Sequence, residues 1–216
     1  MDYFALLLDS LCLLVGHGVM HMVFISRLTR KKLKKWYFAA YFLLLGMIQL
    51  ISNRLALDGT LPVGAGVLAL YGLSRYGMRN QRSVSWLAAV LSYYISQLSF
   101  GIINSVEAAL FPRFIGSPLF YLLFLAAQLL FFVLCAGCYY AVLKLLAWTE
   151  DSQTPYIGLL LFPGLFFFAA ELYILQTAYS FFAPTISLDE VGKHSTLLLL
   201  QVMGLAALLC TLYAYR

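Results

Sequence analysis

Long apolar runs constrain the fold of this chain more than any other feature of its sequence. The run FYLLFLAAQLLFFVL at 120–134 contains one residue outside the hydrophobic class, Gln128. A helix needs about 20 predominantly apolar residues to cross a bilayer, whereas a membrane-spanning strand would alternate apolar and polar residues. The whole chain is 63% hydrophobic and 11% charged, and soluble proteins have about half and a quarter of their residues in these classes. The sequence therefore predicts an all-α membrane protein.

Apolar segments recur along the chain and predict seven transmembrane helices in a single domain. Their predicted bounds are 3–26, 36–52, 61–77, 84–110, 118–148, 156–183 and 195–215. The third segment is short, and it contains Gly64, Gly66, Gly72 and Gly77. Glycines allow a neighbouring helix to approach closely, so we expect this segment to pack tightly against another helix.

The positions of the fourteen Lys and Arg residues predict the orientation of these helices. With the N-terminus outside, Arg54, Arg113 and Lys193 lie on the outer side. The other basic residues then lie on the cytoplasmic side: Arg27, Arg30, Lys31, Lys32, Lys34, Lys35, Arg75, Arg79, Arg82, Lys144 and Arg216. Short loops rich in Lys and Arg remain cytoplasmic, so we expect a multi-pass protein of the plasma membrane with its C-terminus in the cytosol. Omitting the third segment would place the basic residues at 75–82 outside and remove most of this asymmetry.

The sequence RLTRKKLKK at 27–35 holds much of the basic charge of the chain, whose net charge is +5. Because it directly follows the first apolar segment, we interpret it as a topology anchor that meets anionic lipid. Each basic residue near such a surface contributes about 1 kcal/mol. The lipid bilayer is thus an expected partner, and nucleic acid is not.

Ionisable and amide side chains inside the apolar segments are the candidate functional residues. A charged side chain at the centre of a bilayer costs about 2.5–3.5 kcal/mol on insertion scales, so each one needs a physical reason. The candidates for a ligand-binding pocket that opens outward are Asp9, Asn104, Glu107, Glu171, Gln176 and Gln201. The alternative is interhelical hydrogen bonding that stabilises the bundle, at about 0.6 kcal/mol per contact. For Asp9 and Glu107, extension of the side chain to the membrane interface is a further explanation.

Pro163 and Gly164 lie inside the predicted sixth helix. A proline in a helix interior removes a backbone hydrogen bond and kinks the helix. We therefore expect a hinge at these two residues, one or two turns from Glu171.

His17 and His21 are four residues apart and share one side of the first predicted helix. A metal site would need further ligands, and no Cys, Glu or third His is placed to supply them, so structural hydrogen bonding is the favoured interpretation. Cys135 and Cys138 fall within an apolar run and are interpreted as packing residues. The sequence has no G-x-S-x-G, H-E-x-x-H or G-x-x-x-x-G-K-[ST] motif. We expect no catalytic residue, metal or cofactor in this chain.

Two stretches near the end of the chain carry a resemblance to a known family. They are PYIGLLLFPGLFFFAAELYILQTAY at 155–179 and HSTLLLLQVMGLAALLCTLYAYR at 194–216. Together they resemble the N-terminal membrane region of bacterial sensor histidine kinases of the GHKL-ATPase type, relatives of the peptide-sensing quorum receptors. The similarity extends more loosely to LSYYISQLSFGIINSVEAAL and LCAGCYYAVLKLL. The resemblance implies a cytoplasmic kinase domain after Arg216, a homodimer and a response regulator as partner.

The resemblance and the predicted topology indicate the signal-input domain of a two-component sensor. It would sense an extracellular or membrane-borne ligand, such as a peptide, and relay the signal through the last helix. Two other classes stay open. One is a small transporter or permease component, in which Glu171 and Gln201 would line a path, and the other is a membrane scaffold without a ligand. In none of these is the chain itself an enzyme.

Overall fold

The computed structural model describes residues 12–55, 60–110, 114, 117, 119–146 and 188–214. Within these ranges the regular elements are helical, and there is no strand. The helices are α1 (Gly18–Thr29), α2 (Lys35–Leu55), α3 (Thr60–Gly72), α4 (Arg82–Leu110), α5 (Leu119–Leu146) and α6 (Leu188–Ala214). A π-helical turn at Cys12–His17 leads into α1, and another at Leu73–Gly77 follows α3.

Three of these helices contain a stretch that is long and apolar enough to cross a membrane. The stretches are Lys35–Ser52, Arg82–Ile103 and Leu119–Leu146, and α6 contains a shorter apolar stretch at Leu198–Thr211. These helices support the predicted class, a helical membrane protein. The number of seven spans and their orientation stay predictions.

The described helices lie close to the predicted segments. They match, to within a few residues at most ends, the segments 36–52, 61–77, 84–110, 118–148 and 195–215. Two differences are local: α6 begins earlier than predicted, at Leu188, and the regular part of α3 ends at Gly72 before the π-helical turn. The predicted segment 156–183, with the expected hinge at Pro163 and Gly164, lies outside the described residues.

α4 is the central helix of the described bundle. In its apolar window, Arg82–Ile103, 72% of the residues are buried, against 17% in each of the windows of α2 and α5. It packs against α1, α3, α5 and α6, and its contact with α6 is the most extensive between two described helices. Small side chains on α4 are at most 1% exposed: Ser85, Ala88, Ala89, Ser92 and Ser96. Small residues let helix backbones approach closely inside a membrane, which explains how one helix contacts so many neighbours.

Buried apolar side chains form two clusters around α1 and α4. One joins α1, α4, α5 and α6 and includes Phe24, Leu98, Phe131 and Leu208. The other joins α1, α2, α3 and α4 and includes Met22, Tyr41, Leu70 and Ala88. Large apolar side chains also cover the exterior, for example Leu43, Leu50, Leu122, Leu129 and Val133. An apolar exterior is expected where lipid is the solvent, because lipid tails are as apolar as these side chains.

The close approach expected of the third segment is made at Gly66. A Cβ atom added there would lie 2.0 Å from the hydroxyl oxygen of Tyr93 on α4. At Gly64 or Gly72 an added Cβ would meet no described atom within 4 Å. Gly66 is thus the glycine of α3 whose missing side chain the packing requires.

Candidate functional site

The two histidines of the first helix lie in the buried centre of the bundle. His17 ends the π-helical turn, and its Nδ1 atom lies 2.6 Å from the hydroxyl oxygen of Ser96 on α4. Its ring stacks on that of Phe131 of α5, with centroids 4.6 Å apart and an interplanar angle of 18°. His17 therefore connects the first helix to both α4 and α5.

His21 begins a chain of hydrogen bonds that reaches α2 and α4. Its side chain is 2% exposed, and its Nδ1 atom lies 2.8 Å from the hydroxyl oxygen of Tyr41. The Tyr41 hydroxyl donates to the Tyr93 hydroxyl at 3.1 Å. Because a phenol has one proton to donate, Tyr41 must accept from the Nδ1–H group of His21. In a neutral ring, the Nε2 atom of His21 is then the unprotonated nitrogen.

The Nε2 atoms of both histidines are buried, and no described residue forms a hydrogen bond with them. The described ranges contain no group of three or more His, Cys, Asp or Glu side chains that could hold a metal ion. Each Nδ1 atom has a side-chain partner on another helix, as the interpretation of both histidines as hydrogen-bonding residues predicts.

A third polar contact joins α4 to α5. The Tyr139 hydroxyl donates to the backbone carbonyl of Ser92 at 2.8 Å, and the Phe24 ring stacks on that of Tyr139 at 4.4 Å. Cys135 and Cys138 lie beside this contact on α5 as free thiols, 0% and 7% exposed. Their interpretation as packing residues is confirmed by this burial.

Gln201 is the residue of the predicted ligand pocket whose side chain the structure describes. It is 0% exposed on α6, and the Ser105 hydroxyl of α4 donates to its Oε1 atom at 3.4 Å. This contact favours the interhelical bonding alternative for Gln201. Asn104 and Glu107 lie on α4, but their side chains are outside what the structure describes. Asp9, Glu171 and Gln176 lie outside the described residues altogether, so the pocket stays a prediction.

The tyrosines and serines of this network were not among the predicted site residues. Ser92, Ser96 and Ser99 recur at steps of four and three along α4, and such steps place side chains on one side of a helix. That spacing was the available signal for a polar side of α4. The partners Tyr41 and Tyr139 carried no such signal, because each lies on a different helix and far from α4 in sequence.

Comparisons with protein-family models, with curated proteins and with solved structures gave no match for this chain. The buried network can accept a hydrogen bond or a proton at the Nε2 atom of His21. It also connects α1 to α2 and α4 by hydrogen bonds that a shift of α1 would break.

Proposed function

We propose that the chain is the signal-input domain of a two-component sensor kinase in the plasma membrane. In this proposal it has seven transmembrane helices, an outside N-terminus and a cytosolic C-terminus. The family resemblance alone implies a homodimer, a kinase domain after Arg216 and a response regulator as partner. The stimulus is an extracellular or membrane-borne ligand, and a peptide fits the resemblance.

The central position of α4 is the observation that carries this proposal. α4 is bonded to the π-helical turn before α1 through Ser96, to α2 through Tyr93, to α5 through Ser92 and to α6 through Ser105. A ligand that moves one outer helix must therefore strain contacts with α4. Because α6 has the most extensive contact with α4, the same displacement reaches the last described helix.

Signalling of this kind requires two packings of the bundle that differ by a few kcal/mol, with the ligand favouring one. We assign the ligand to the outer polar residues Asp9, Asn104, Glu107, Glu171, Gln176 and Gln201, and the hinge to Pro163 and Gly164. The described contact of Gln201 with Ser105 is where such a pocket would act directly on the α4–α6 pair.

The proposal is tested with a receptor in which a sensor-kinase catalytic region follows Arg216 and phosphorylates a response-regulator reporter. We expect Gln201→Leu to change the dose–response curve for peptide-containing culture medium. Val202→Leu, at a neighbouring residue that is 50% exposed, is the matched control and should leave the curve unchanged. Glu171→Gln should shift the curve while membrane insertion stays intact.

Two results would contradict the proposal. The first is an unchanged dose–response curve in both the Gln201 and the Glu171 variants. The second is labelling of a tag placed after Arg216 from outside intact cells, because the last helix would then end on the wrong side of the membrane.

The unpartnered Nε2 atoms of His17 and His21 favour a second candidate, a small proton-coupled transporter. Histidine chains inside membrane helices are a recurrent feature of proton paths. The His21 ring here is hydrogen-bonded to the Tyr41 hydroxyl, which in turn donates to the Tyr93 hydroxyl. Acidification inside proteoliposomes that contain the purified chain, and its loss in His21→Phe, would support transport. Vesicles that stay at constant pH would leave signalling as the better proposal.

A further inference from the structure

His17 and His21 are both bound to neighbouring helices through the same ring nitrogen. The Nδ1 atom of His17 contacts the Ser96 hydroxyl at 2.6 Å, and that of His21 contacts the Tyr41 hydroxyl at 2.8 Å. Both Nε2 atoms are buried, and no described residue forms a hydrogen bond with either of them. Buried polar atoms without a partner are rare in proteins, and a bound ion is one explanation for them. Each ring therefore has one nitrogen that fixes it and one that can bind a ligand.

The separation of the two rings suits a single ion between them. In the sequence HGVMH at 17–21 the histidines are four residues apart, which places them on one side of a helix. The same spacing brings two histidines onto one metal ion in the H-E-x-x-H motif. A metal–nitrogen bond is about 2.0 Å long, so two imidazole rings on opposite sides of one ion have centroids about 6 Å apart. The centroids of His17 and His21 are 6.1 Å apart, which matches two ligands in line.

The neighbours of both rings resemble those of metal-binding histidines. Such histidines almost always donate the N–H group of the other ring nitrogen to an acceptor, which fixes the ring and its tautomer. Tyr41 accepts from the Nδ1–H group of His21 in this way, and the Ser96 hydroxyl is placed to accept from that of His17. The His17 ring is also held by stacking on Phe131, and it ends a π-helical turn, a feature that is frequent at functional sites. Both rings are thus oriented with the lone pair of Nε2 available.

The surroundings of the pair favour a monovalent ion that accepts two ligands. Imidazole binds zinc, copper, iron and nickel, but zinc takes four ligands in structural sites. Within the described ranges no third His, Cys, Asp or Glu side chain joins this pair. The rings of Phe100 and Phe131 lie 5.5 Å and 4.6 Å from that of His17, and the cost of burying an ion among apolar groups rises with the square of its charge. Cu(I) carries one positive charge, accepts imidazole nitrogen and is stable with two ligands in line.

We propose that His17 and His21 bind one Cu(I) ion through their Nε2 atoms. The sequence alone predicted no metal here, because a site with three or four protein ligands is incomplete, and a two-coordinate Cu(I) ion removes that requirement. Ser96 and Tyr41 are positioning residues that hold the two rings. The inference goes beyond the proposed function and depends neither on signalling nor on transport.

The test measures Cu(I) binding by the full purified chain in mild detergent without oxygen. A colorimetric Cu(I) chelator competes for the ion, so its absorbance reports how much copper the chain retains. We expect one Cu(I) ion per chain, and X-ray absorption should show two nitrogen ligands and no sulfur ligand. Tyr41→Phe removes the acceptor of the His21 Nδ1–H group and should weaken Cu(I) binding by about 10–100-fold.

The decisive variant is His17→Asn combined with His21→Asn. The amide nitrogen of asparagine lies close to the position of Nδ1, so this double variant keeps a donor for Ser96 and for Tyr41 but has no nitrogen at the position of Nε2. It should bind Cu(I) more weakly by a factor above about 100. Added Cu(I) should raise the unfolding temperature of the unmodified chain but not that of the double variant. The matched control is His194→Asn on α6, which should bind Cu(I) like the unmodified chain.

Three results would overturn the proposal. The first is loss of all copper from the unmodified chain to the chelator, and the second is full retention of Cu(I) by the double Asn variant. The third concerns Cys135→Ala with Cys138→Ala, which removes the two buried thiols of α5 and should leave binding unchanged. Loss of the ion in that variant would assign the copper to the thiols instead. X-ray absorption of the unmodified chain decides between nitrogen and sulfur ligands whether or not the variants fold.

Discussion

Replacement of Gly66 by alanine should destabilise the bundle through one identifiable collision. The added Cβ would lie 2.0 Å from the Tyr93 hydroxyl oxygen and 2.6 Å from its ring carbon Cζ. Ordinary contact begins near 3.4 Å, so the hydroxyl must retreat by about 1.4 Å, the difference between 3.4 and 2.0. A retreat of that size away from Tyr41 would break their hydrogen bond, which is 3.1 Å long.

The magnitude of this effect follows from two contributions. Overpacking of a filled core typically costs about 1–3 kcal/mol, and a lost hydrogen bond inside a membrane costs about 0.6 kcal/mol. Gly64→Ala is the matched control two residues away on α3, since its added Cβ meets no described atom within 4 Å. Both variants gain the same helix propensity, about 1 kcal/mol at most. The free energies of unfolding should therefore differ by about 1.5–3.5 kcal/mol, with Gly66→Ala the less stable.

The assay is unfolding of the purified chain by increasing mole fractions of sodium dodecyl sulfate in mild detergent, followed by circular dichroism. Combining Gly66→Ala with Tyr93→Phe removes the atom at 2.0 Å but leaves the ring carbon at 2.6 Å. That combination should recover part of the lost stability. Equal midpoints for Gly66→Ala and Gly64→Ala would refute the close α3–α4 contact and, with it, the assigned packing of Tyr93.

Two further substitutions test the polar contacts of α4. Tyr41→Phe removes the hydroxyl that accepts from His21 and donates to Tyr93. It should therefore lower the free energy of unfolding by about 1–2 kcal/mol. The control Tyr76→Phe, at a residue that is 76% exposed, should have no effect in the same assay. Gln201→Leu removes the 3.4 Å contact with the Ser105 hydroxyl and should lower the free energy of unfolding by at least about 0.5 kcal/mol. An unchanged free energy of unfolding would contradict this contact between α6 and α4.

The helices could be predicted from the sequence because span length and apolarity are local properties. Residues 84–110, for example, are predicted as a helix by composition alone, and the structure has α4 at Arg82–Leu110. The regular end of α3 at Gly72 could not be predicted, since the π-helical turn Leu73–Gly77 follows it without a break. Apolarity sets where a helix forms, but it does not distinguish one helical hydrogen-bonding pattern from another.

The partners of the buried polar groups could not be predicted from periodicity. The spacing of His17 and His21 places them on one side of a helix, yet it does not identify the helix that faces them. Their partners Ser96 and Tyr41 lie 79 and 20 residues away in sequence. The bond of Lys31 to Met78 spans 47 residues in the same way. Such pairs depend on the order in which helices pack, and one sequence contains no direct record of that order.

The hydrogen bonds that join α4 to its neighbours have a strength suited to a conformational change. Three side-chain pairs connect it to the π-helical turn before α1, to α2 and to α6, namely His17 with Ser96, Tyr41 with Tyr93 and Gln201 with Ser105. At about 0.6 kcal/mol each, breaking all three would cost about 2 kcal/mol. Coupling energies between two sites in one protein are typically about 1–3 kcal/mol. A ligand that binds a packing without these three hydrogen bonds about thirtyfold more tightly would therefore offset the cost of breaking them. The apolar clusters would keep the helices associated in both packings.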